Sequence, residues 1–457
     1  MKILMAVHDF PPEFRGGVER SVELLALELL QRGHEVCVFA GSQARPDAPR
    51  LETQEHRGIA IKRWRRKGGI VDAVDVHDPH AEDAFEACLD DFRPDVVHVH
   101  HWFQLSTGLV AAAARRGRPA VVTLHDFWST CGLFFRLPDG GQEFCREVER
   151  EESCLPCLAR HHPTDATEQQ QSFRMRRRSL EQELGLARAI LVSSAAQVRA
   201  LASLGGFSTD IVGRMRIRPL GVAPVIAKAA PAKKDPDLCV IAHWGNLSPL
   251  KGTELLVRAA SRAKAHRRLR LRLLGESPDE GWLIRLRDLA AGLRLELAGA
   301  YEADQLPDLL ADVDLAVFPS LAMETHSLVL DEAMALGLPV IVSDRGALPE
   351  RIGGRGIVTP AGDLAALTAA IDRLADPEAR RAIREGSPPR MVSMFEYTSS
   401  VIATYDDALA AGAPPIAEAT DLARERLAFR NARLEEIARY VNLMEARLRV
   451  QGGERTP

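Results

Sequence analysis

The feature that most constrains this chain is a unit that recurs: a short apolar run, a glycine- or histidine-bearing loop, then a helical segment. Ile3 to Val7 is apolar throughout, as a parallel strand buried on both faces requires. Gly16-Gly17 breaks the chain, Val18 to Gln31 carries Val22, Leu25 and Leu29 at helical spacing, and Gly33 stands where a helix C-cap is expected. Glu35 to Ala40 reads as the next strand, and the pattern returns at Asp95 to Val99 and at Ala120 to Leu124. Strands alternating with helices predict an α/β chain with a doubly wound sheet.

Val222 to Asp237 interrupts this order, with Pro224, Pro231 and Pro236 among Ala and Lys making a linker. The unit then restarts: strand Leu238 to Ala242, loop Gly245 to Gly252, helix Thr253 to Lys264. Further strands are predicted at Leu269 to Leu274, Leu293 to Leu297, Leu315 to Pro319 and Pro339 to Ser343. These runs imply two Rossmann-like halves joined near Ala230, with a ligand cleft beyond the carboxyl ends of their strands. A second break, Ala411-Gly412-Ala413-Pro414-Pro415, precedes a helical tail. Leu434, Ile437, Val441 and Met444 sit there at heptad-like spacing, which fits a helical partner as well as a helix packed on its own protein.

Composition serves mainly to exclude. A formal charge of −4 argues against nucleic acid as the main partner. No apolar stretch approaches the length of a membrane span, and the apolar start runs directly into His8-Asp9-Phe10-Pro11-Pro12, too short for a signal peptide. With 7 Cys in 457 residues and no secretory signal, the expectation is a cytoplasmic chain with reduced thiols.

The most informative segment is Glu324-Thr325-His326-Ser327-Leu328-Val329-Leu330-Asp331-Glu332, after a strand ending at Phe318-Pro319-Ser320. A helix starting near Ser327 would present its amides beyond a strand end, a setting suited to phosphate. Carboxylates at a phosphate site are electrostatically unfavourable unless they serve hydroxyls, as on a sugar or ribose. Glu324 and Glu332 therefore suggest a nucleotide sugar, against the alternative of two solvated side chains.

The segment resembles the signature of the retaining glycosyltransferases of family 4, a carboxylate pair with seven residues between. Its neighbours agree: Ala311 to Ser320 upstream, Glu332 to Ile341 downstream, and Ser343-Asp344-Arg345-Gly346-Ala347-Leu348-Pro349-Glu350 beyond. Gly16-Gly17-Val18-Glu19-Arg20 after Pro11-Pro12 matches the family's glycine loop, so the resemblance runs from Met1 to about Asp407. It implies a GT-B fold, two Rossmann-like domains facing a central cleft. An acceptor-binding domain would span 1–225 and a nucleotide-sugar-binding domain 226–412, its last helix crossing back to the first, with a tail over 413–457.

The resemblance also implies roles. Glu332 would take the donor ribose, Glu324 the hydroxyls of the transferred sugar, and Lys251 the diphosphate. Gly16 and Gly17 would bring backbone close to that diphosphate, Tyr301 would lie where the base is held, and Leu328 would stand at the donor with its neighbours. His125, in Thr123-Leu124-His125-Asp126-Phe127-Trp128, matches an active-site histidine, giving His125, Lys251 and Glu324 as the catalytic set. Asn246 stands where the family usually has Arg, and His326-Ser327 where it has Phe-Gly. The implied activity is metal-ion-independent transfer, with retention, from a nucleotide-diphosphate-sugar to a saccharide or lipid-linked hydroxyl acceptor, in polysaccharide or glycolipid synthesis and with no cofactor for catalysis. Two alternatives stay open: an epimerase or hydrolase on the same fold, against which the paired carboxylates argue, and a non-catalytic scaffold, which Asn246 keeps alive.

Other residues admit two readings. Asp312-Val313-Asp314 looks like a metal-binding motif but reads first as polar edging of a strand. His77, Asp78, His80, Glu82 and Asp83 read first as an acid-rich helix start. His98, His100 and His101 either edge the cleft or pack. Cys131, Cys145, Cys154 and Cys157 fall within 27 residues, and a Cys154-Leu155-Pro156-Cys157 knuckle with two further thiolates fits a structural zinc site. An iron–sulfur cluster or unmetallated thiols remain open. The basic runs Lys62-Arg63-Trp64-Arg65-Arg66-Lys67 and Arg174-Met175-Arg176-Arg177-Arg178 suit either a solvated face or peripheral contact with the inner face of an anionic membrane.

Overall fold

Strands covered on both faces must be apolar along their whole length, and the computed structural model assembles the chain's apolar runs in that way. It describes residues 1–66, 77–138, 143–148, 150–161, 166–204, 207–223 and 237–415, with separate positions at 428, 431, 432, 435 and 439. The linker read near Ala230 and the tail positions Leu434, Ile437, Val441 and Met444 lie outside the described residues.

The first sheet comprises β1 (Lys2–Val7), β2 (Glu35–Ala40), β3 (Arg50–His56), β4 (Ile59–Arg65), β5 (Val96–Val99), β6 (Ala120–Leu124), β7 (Ala189–Val192) and β8 (Met215–Ile217). Their order is β3-β4-β2-β1-β5-β6-β7-β8, parallel except for the β3–β4 hairpin at the edge. The second sheet comprises β9 (Cys239–Trp244), β10 (Leu269–Leu274), β11 (Arg294–Gly299), β12 (Leu315–Phe318), β13 (Val340–Ser343) and β14 (Gly356–Thr359). It is parallel, in the order β11-β10-β9-β12-β13-β14. Strand order reverses between β1 and β5 in one sheet and between β9 and β12 in the other, and crevices for ligands open at such reversals.

Each sheet carries an apolar core on both faces. One core of the first sheet is completed from far along the chain by the helix Met394–Ala411, through Tyr397, Val401 and Tyr405. Ser393 and Glu396 form a capping box at its start, satisfying amides a helix terminus leaves bare. Full burial of Val401 and the tyrosines contributes about 1.5–3 kcal/mol per side chain. No helix among the described residues is long and apolar enough to cross a membrane.

Part of each basic run turns inward. Arg63 is fully buried in β4 and donates to the carbonyls of Gly41, Phe10 and Pro11 and to Gln54. Arg65 pairs with Glu13 and Glu52, and buried Arg176 lies over the Trp128 ring while donating to the Trp128 carbonyl. Arg63, Arg65 and Arg176 are thus committed to internal acceptors, whereas Arg174, Arg177 and Arg178 of the second run stay exposed.

Candidate active site

The donor-side residues converge at the β9/β12 reversal. After β9 the chain turns through Gly245 (φ +105°), Asn246 and a short turn Pro249–Lys251 into the helix Thr253–Arg262. Gly252 (φ +72°) makes that turn close enough that a Cβ there would stand 2.1 Å from the Pro319 carbonyl oxygen. The loop after β12 is thereby tied on, with Leu321 N donating to the Leu250 carbonyl at 2.9 Å. This brings Lys251 Nζ to 2.8 Å from Glu324 Oε1, which also accepts from Ser320 Oγ at 2.7 Å. Behind Glu324, the Ala347 amide donates to its carbonyl at 2.7 Å.

Glu332 sits in the helix Leu328–Ala335 and accepts from Trp244 Nε1 at 2.8 Å. Burial pushes its carboxyl up to about 7, against the opposing pull of the Trp244 hydrogen bond and of Arg20 from the first half. Tyr301 lies close enough that burial, and then the Glu332 charge, raise its phenol. Ser327, at the start of the motif helix, holds φ +84°, a region glycine occupies freely and serine does not.

Opposite stands a string of imidazoles at the ends of β1, β5 and β6. His98 lies between the Tyr405 hydroxyl (2.6 Å) and the Thr123 hydroxyl (2.7 Å), and its ring centroid is 3.9 Å from that of His100. His100 Nδ1 is 3.0 Å from His125 Nε2. Burial depresses His98 and His125 to about 3, so both are neutral. His101 contacts Asp126 at 3.3 Å, and its ring centroid is 4.3 Å from that of His8. His8 Nε2 in turn lies 3.0 Å from Glu19. Burial works against protonation of His8, but Glu19, Asp9 and Asp126 together raise its pKa.

The halves meet at these two rims. Thr325 Oγ1 donates to the His125 carbonyl at 2.6 Å, so the motif loop touches the histidine string one residue from Glu324. Leu328 packs against a core of the first sheet, Phe135 places its ring centroid 5.8 Å from Lys251 Nζ, and Arg15 pairs with Glu302. Gly16 and Gly17 open the helix Gly17–Gln31, and a Cβ at Gly17 would meet nothing within 4 Å. The structure thus gathers Gly17, His125, Lys251, Tyr301, Glu324, Ser327, Leu328 and Glu332 around one gap between the halves.

Some residues go elsewhere. The His326 side chain, expected at the donor, turns inward to Asp331 at 2.7 Å, and Asp331 is also held by Arg351. Asn246 is exposed, and its carbonyl accepts from Ser248 N at 3.1 Å. Among the described residues the grouping of three ligand atoms within 4.8 Å of one another is His8, Asp9 and Glu19, and it includes none of the four sulfurs. Cys154 and Cys157 share the helix Glu151–His161, Cys131 stands in the turn after Trp128, and Arg136 holds the Cys145 carbonyl at 3.2 Å.

Asp314 accepts from Val240 N at 2.8 Å and Asp312 pairs with Arg272, polar edging of a sheet. Asp78 caps the helix Pro79–Phe92, and His77 bonds Ser179 at 2.9 Å. Sequence reasoning missed His8, Asp9, Glu19, Trp244 and Phe135. His8-Asp9 follows an apolar strand as His125-Asp126 does, and that parallel was the available signal.

Comparison with known proteins agrees with this geometry. Residues 15–224 match the Glycosyltransferase Family 4 model, and residues 239–376 match that of Glycosyl transferases group 1. The chain is 27% identical to the D-inositol 3-phosphate glycosyltransferase of Acidothermus cellulolyticus over 465 aligned residues, covering 93% of each. It is 34% identical to the MMP alpha-(1->4)-mannosyltransferase of Mycolicibacterium hassiacum over 171 residues, 35% of this chain and 41% of that one. Sucrose-phosphate synthase from Thermosynechococcus elongatus superposes with a TM-score of 0.59 at 20% identity, covering 90% of this chain and 97% of that structure. The chain belongs to the family 4 glycosyltransferases and carries their GT-B fold.

Proposed function

We propose that this glycosyltransferase acts in the cytoplasm with retention and without a metal ion, taking the donor on its second half and the acceptor on its first. The observation that carries this is the Lys251–Glu324 contact at 2.8 Å, facing the His125 loop across a 2.6 Å hydrogen bond from Thr325. Glu332 receives the ribose hydroxyls and Tyr301 lies beside the base. Lys251 and the amides opening the helix Leu328–Ala335 neutralise the diphosphate, and Gly17 leaves room for it from the opposite side.

The bond from the anomeric carbon to the diphosphate oxygen breaks as the acceptor hydroxyl bonds to the same face. The hydroxyl's proton passes to the departing phosphate, so no protein nucleophile is consumed. Glu324 orients the sugar through its hydroxyls, and neutral His125 lines the acceptor side as a hydrogen-bonding group. Asn246 offers no cation, so Lys251 bears more of the leaving-group charge than its family counterparts do. The pathway in view is synthesis of a cell-surface polysaccharide or glycolipid, on the family resemblance.

The test is a thermal-shift panel of UDP, GDP, ADP, TDP and their sugars, followed by assay of the stabilising donor. A ligand at 100 times its dissociation constant stabilises by about 2.7 kcal/mol. One nucleotide family should raise the melting temperature, and its sugar should yield α-linked product from an α-donor. Absence of any shift overturns nucleotide binding, and release of sugar only to water overturns transfer.

A further inference from the structure

The crevice at the β1/β5 reversal holds polar groups that the donor chemistry does not use. One nitrogen or oxygen from each of His8, Asp9 and Glu19 lies within 4.8 Å of the others, and Asp9 and Glu19 are only 2% and 1% exposed. Asp9 is held in place through Oδ2, which accepts from Gln43 at 3.1 Å and Gln104 at 3.3 Å. Gln104 is itself anchored by Arg45 at 2.8 Å. Yet Asp9 Oδ1 and His8 Nδ1 have no hydrogen-bond partner among the described residues.

Buried polar atoms of this kind call for a partner, because leaving them bare is unfavourable. Apart from His8 itself, the described residues around the cluster pair no cationic side chain with these carboxylates. Among the described residues no Lys or Arg forms an ion pair with Asp9, Glu19 or Asp126, and the Arg63 guanidinium beside Asp9 is committed to Gln54, Gly41, Phe10 and Pro11. Three carboxylates therefore surround His8, and His101 beside it is kept from protonation chiefly by burial. The cluster stands one ring from an aromatic wall: Phe134 stacks on His101 with centroids 5.7 Å apart and meets Phe103 edge-on at 4.9 Å. Carboxylates that accept, beside flat rings that pack against C–H faces, are complementary to a sugar ring with free hydroxyls. A phosphate brings only acceptor oxygens and more negative charge.

We propose that this crevice takes the unphosphorylated, hydroxyl-bearing end of the acceptor, with Asp9 and Glu19 accepting from its hydroxyls and His8 Nδ1 donating to a hydroxyl oxygen. The inference rests on the reading of the first half as the acceptor side. It goes further in assigning the chemical class and the residues that select it.

The experiment pairs methyl glucoside, methyl mannoside, methyl galactoside and myo-inositol with their phosphate monoesters. Saturation-transfer NMR and nucleoside-diphosphate release are read for each on the full chain with its stabilising donor nucleotide. At least one neutral member should bind and stimulate release about tenfold more than its phosphate, since like charges placed together are strongly disfavoured. Glu19→Gln and the isosteric Asp9→Asn should each raise the acceptor KM more than they lower kcat. A phosphate ester that outperforms its neutral partner, or a panel in which no neutral sugar binds, overturns the proposal. So does a stoichiometric divalent ion that elemental analysis finds in the wild type but not in Glu19→Gln. Failure here leaves nucleotide binding at Glu332 intact, whereas failure of the donor reading abolishes it.

Discussion

The two rims that face each other across the gap solve the problem of burying polar groups in opposite ways. On the second half, charge is paired: Lys251 meets Glu324 at 2.8 Å, and Glu332 leans on the Trp244 indole. On the first half, burial strips charge from the inner histidines, with His98 and His125 held near 3 and His100 pushed well below its ordinary value. A departing diphosphate needs fixed positive charge nearby, whereas an incoming hydroxyl needs neutral, well-oriented hydrogen bonds. The difference teaches that division of labour in this molecule follows electrostatics, not fold, because both halves are the same kind of sheet.

The sharpest way to break that contrast is Lys251→Ala. Loss of one preorganised donor at a developing negative charge costs on the order of 100–1,000-fold in turnover. Steady-state transfer, or donor hydrolysis, should fall by at least that factor, and Lys251→Arg should restore only part because its planar fork replaces a compact ammonium. Wild-type turnover in Lys251→Ala would remove the ionic character assigned to the donor rim.

Glu332 comes next. Its truncation to Ala should weaken nucleotide binding by roughly ten- to hundredfold, since a hydrogen bond to a charged group contributes about 1.5–3 kcal/mol. Because burial raises this carboxyl to about 7, the ionised, hydrogen-bond-accepting form grows as pH rises through neutrality. Affinity measured calorimetrically should therefore increase about tenfold from pH 6 to pH 8. The gain should be absent in Glu332→Gln.

How much of this was legible beforehand depends on whether the signal is local. β2, β6 and β10 were placed with their observed ends, because runs dominated by apolar residues mark buried strands. The edge hairpin β3–β4 was not seen, since Arg50–His56 is charged along its length and reads as loop. The carboxylate motif was visible because both glutamates and the helix between them lie within nine residues. The inward bond from His326 to Asp331 was not legible, because Asp331 is fixed in turn by Arg351 from a later segment. Likewise Arg63 looked like surface charge until the chain supplied carbonyls from Phe10, Pro11 and Gly41. His8, Asp9 and Glu19 meet because the loop between β1 and the helix Gly17–Gln31 folds back on itself, and a loop's path leaves no periodic trace.

The stability of the two rims should also respond to pH with opposite signs. His98, fully buried, has a folded pKa near 3 against an ordinary value of 6.5, so below 6.5 the unfolded chain binds the extra proton. Its contribution is complete above 6.5 and is lost as pH falls, by about 2 kcal/mol at pH 5. Glu332 runs the other way: its folded value near 7 exceeds the ordinary 4.5, so stability is lost as pH rises from 4.5 through 7. Urea midpoints at pH 5 and pH 7 should show a flatter acid limb in His98→Gln than in wild type. A limb unchanged by the substitution would mean that His98 does not resist protonation in the folded chain.

The smallest expected effect tests the backbone that joins the rims. Ser327 holds φ +84° at the junction between the loop carrying Glu324 and the helix carrying Glu332, where the family usually places glycine. A non-glycine residue in such a region carries strain of about 1–3 kcal/mol, while glycine in its place adds freedom to the unfolded chain worth roughly 0.5–1 kcal/mol. The balance favours Ser327→Gly by about 1 kcal/mol, or a melting point higher by roughly 2–4 °C for a domain of this size. Strain retained beside two donor-side carboxylates also has a functional reading, since it fixes the direction in which the helix amides point. If so, the more stable Ser327→Gly chain should bind nucleotide somewhat less tightly than wild type. A variant that gains stability and affinity together would show that the strained serine is a tolerated substitution and not part of how the donor rim is held.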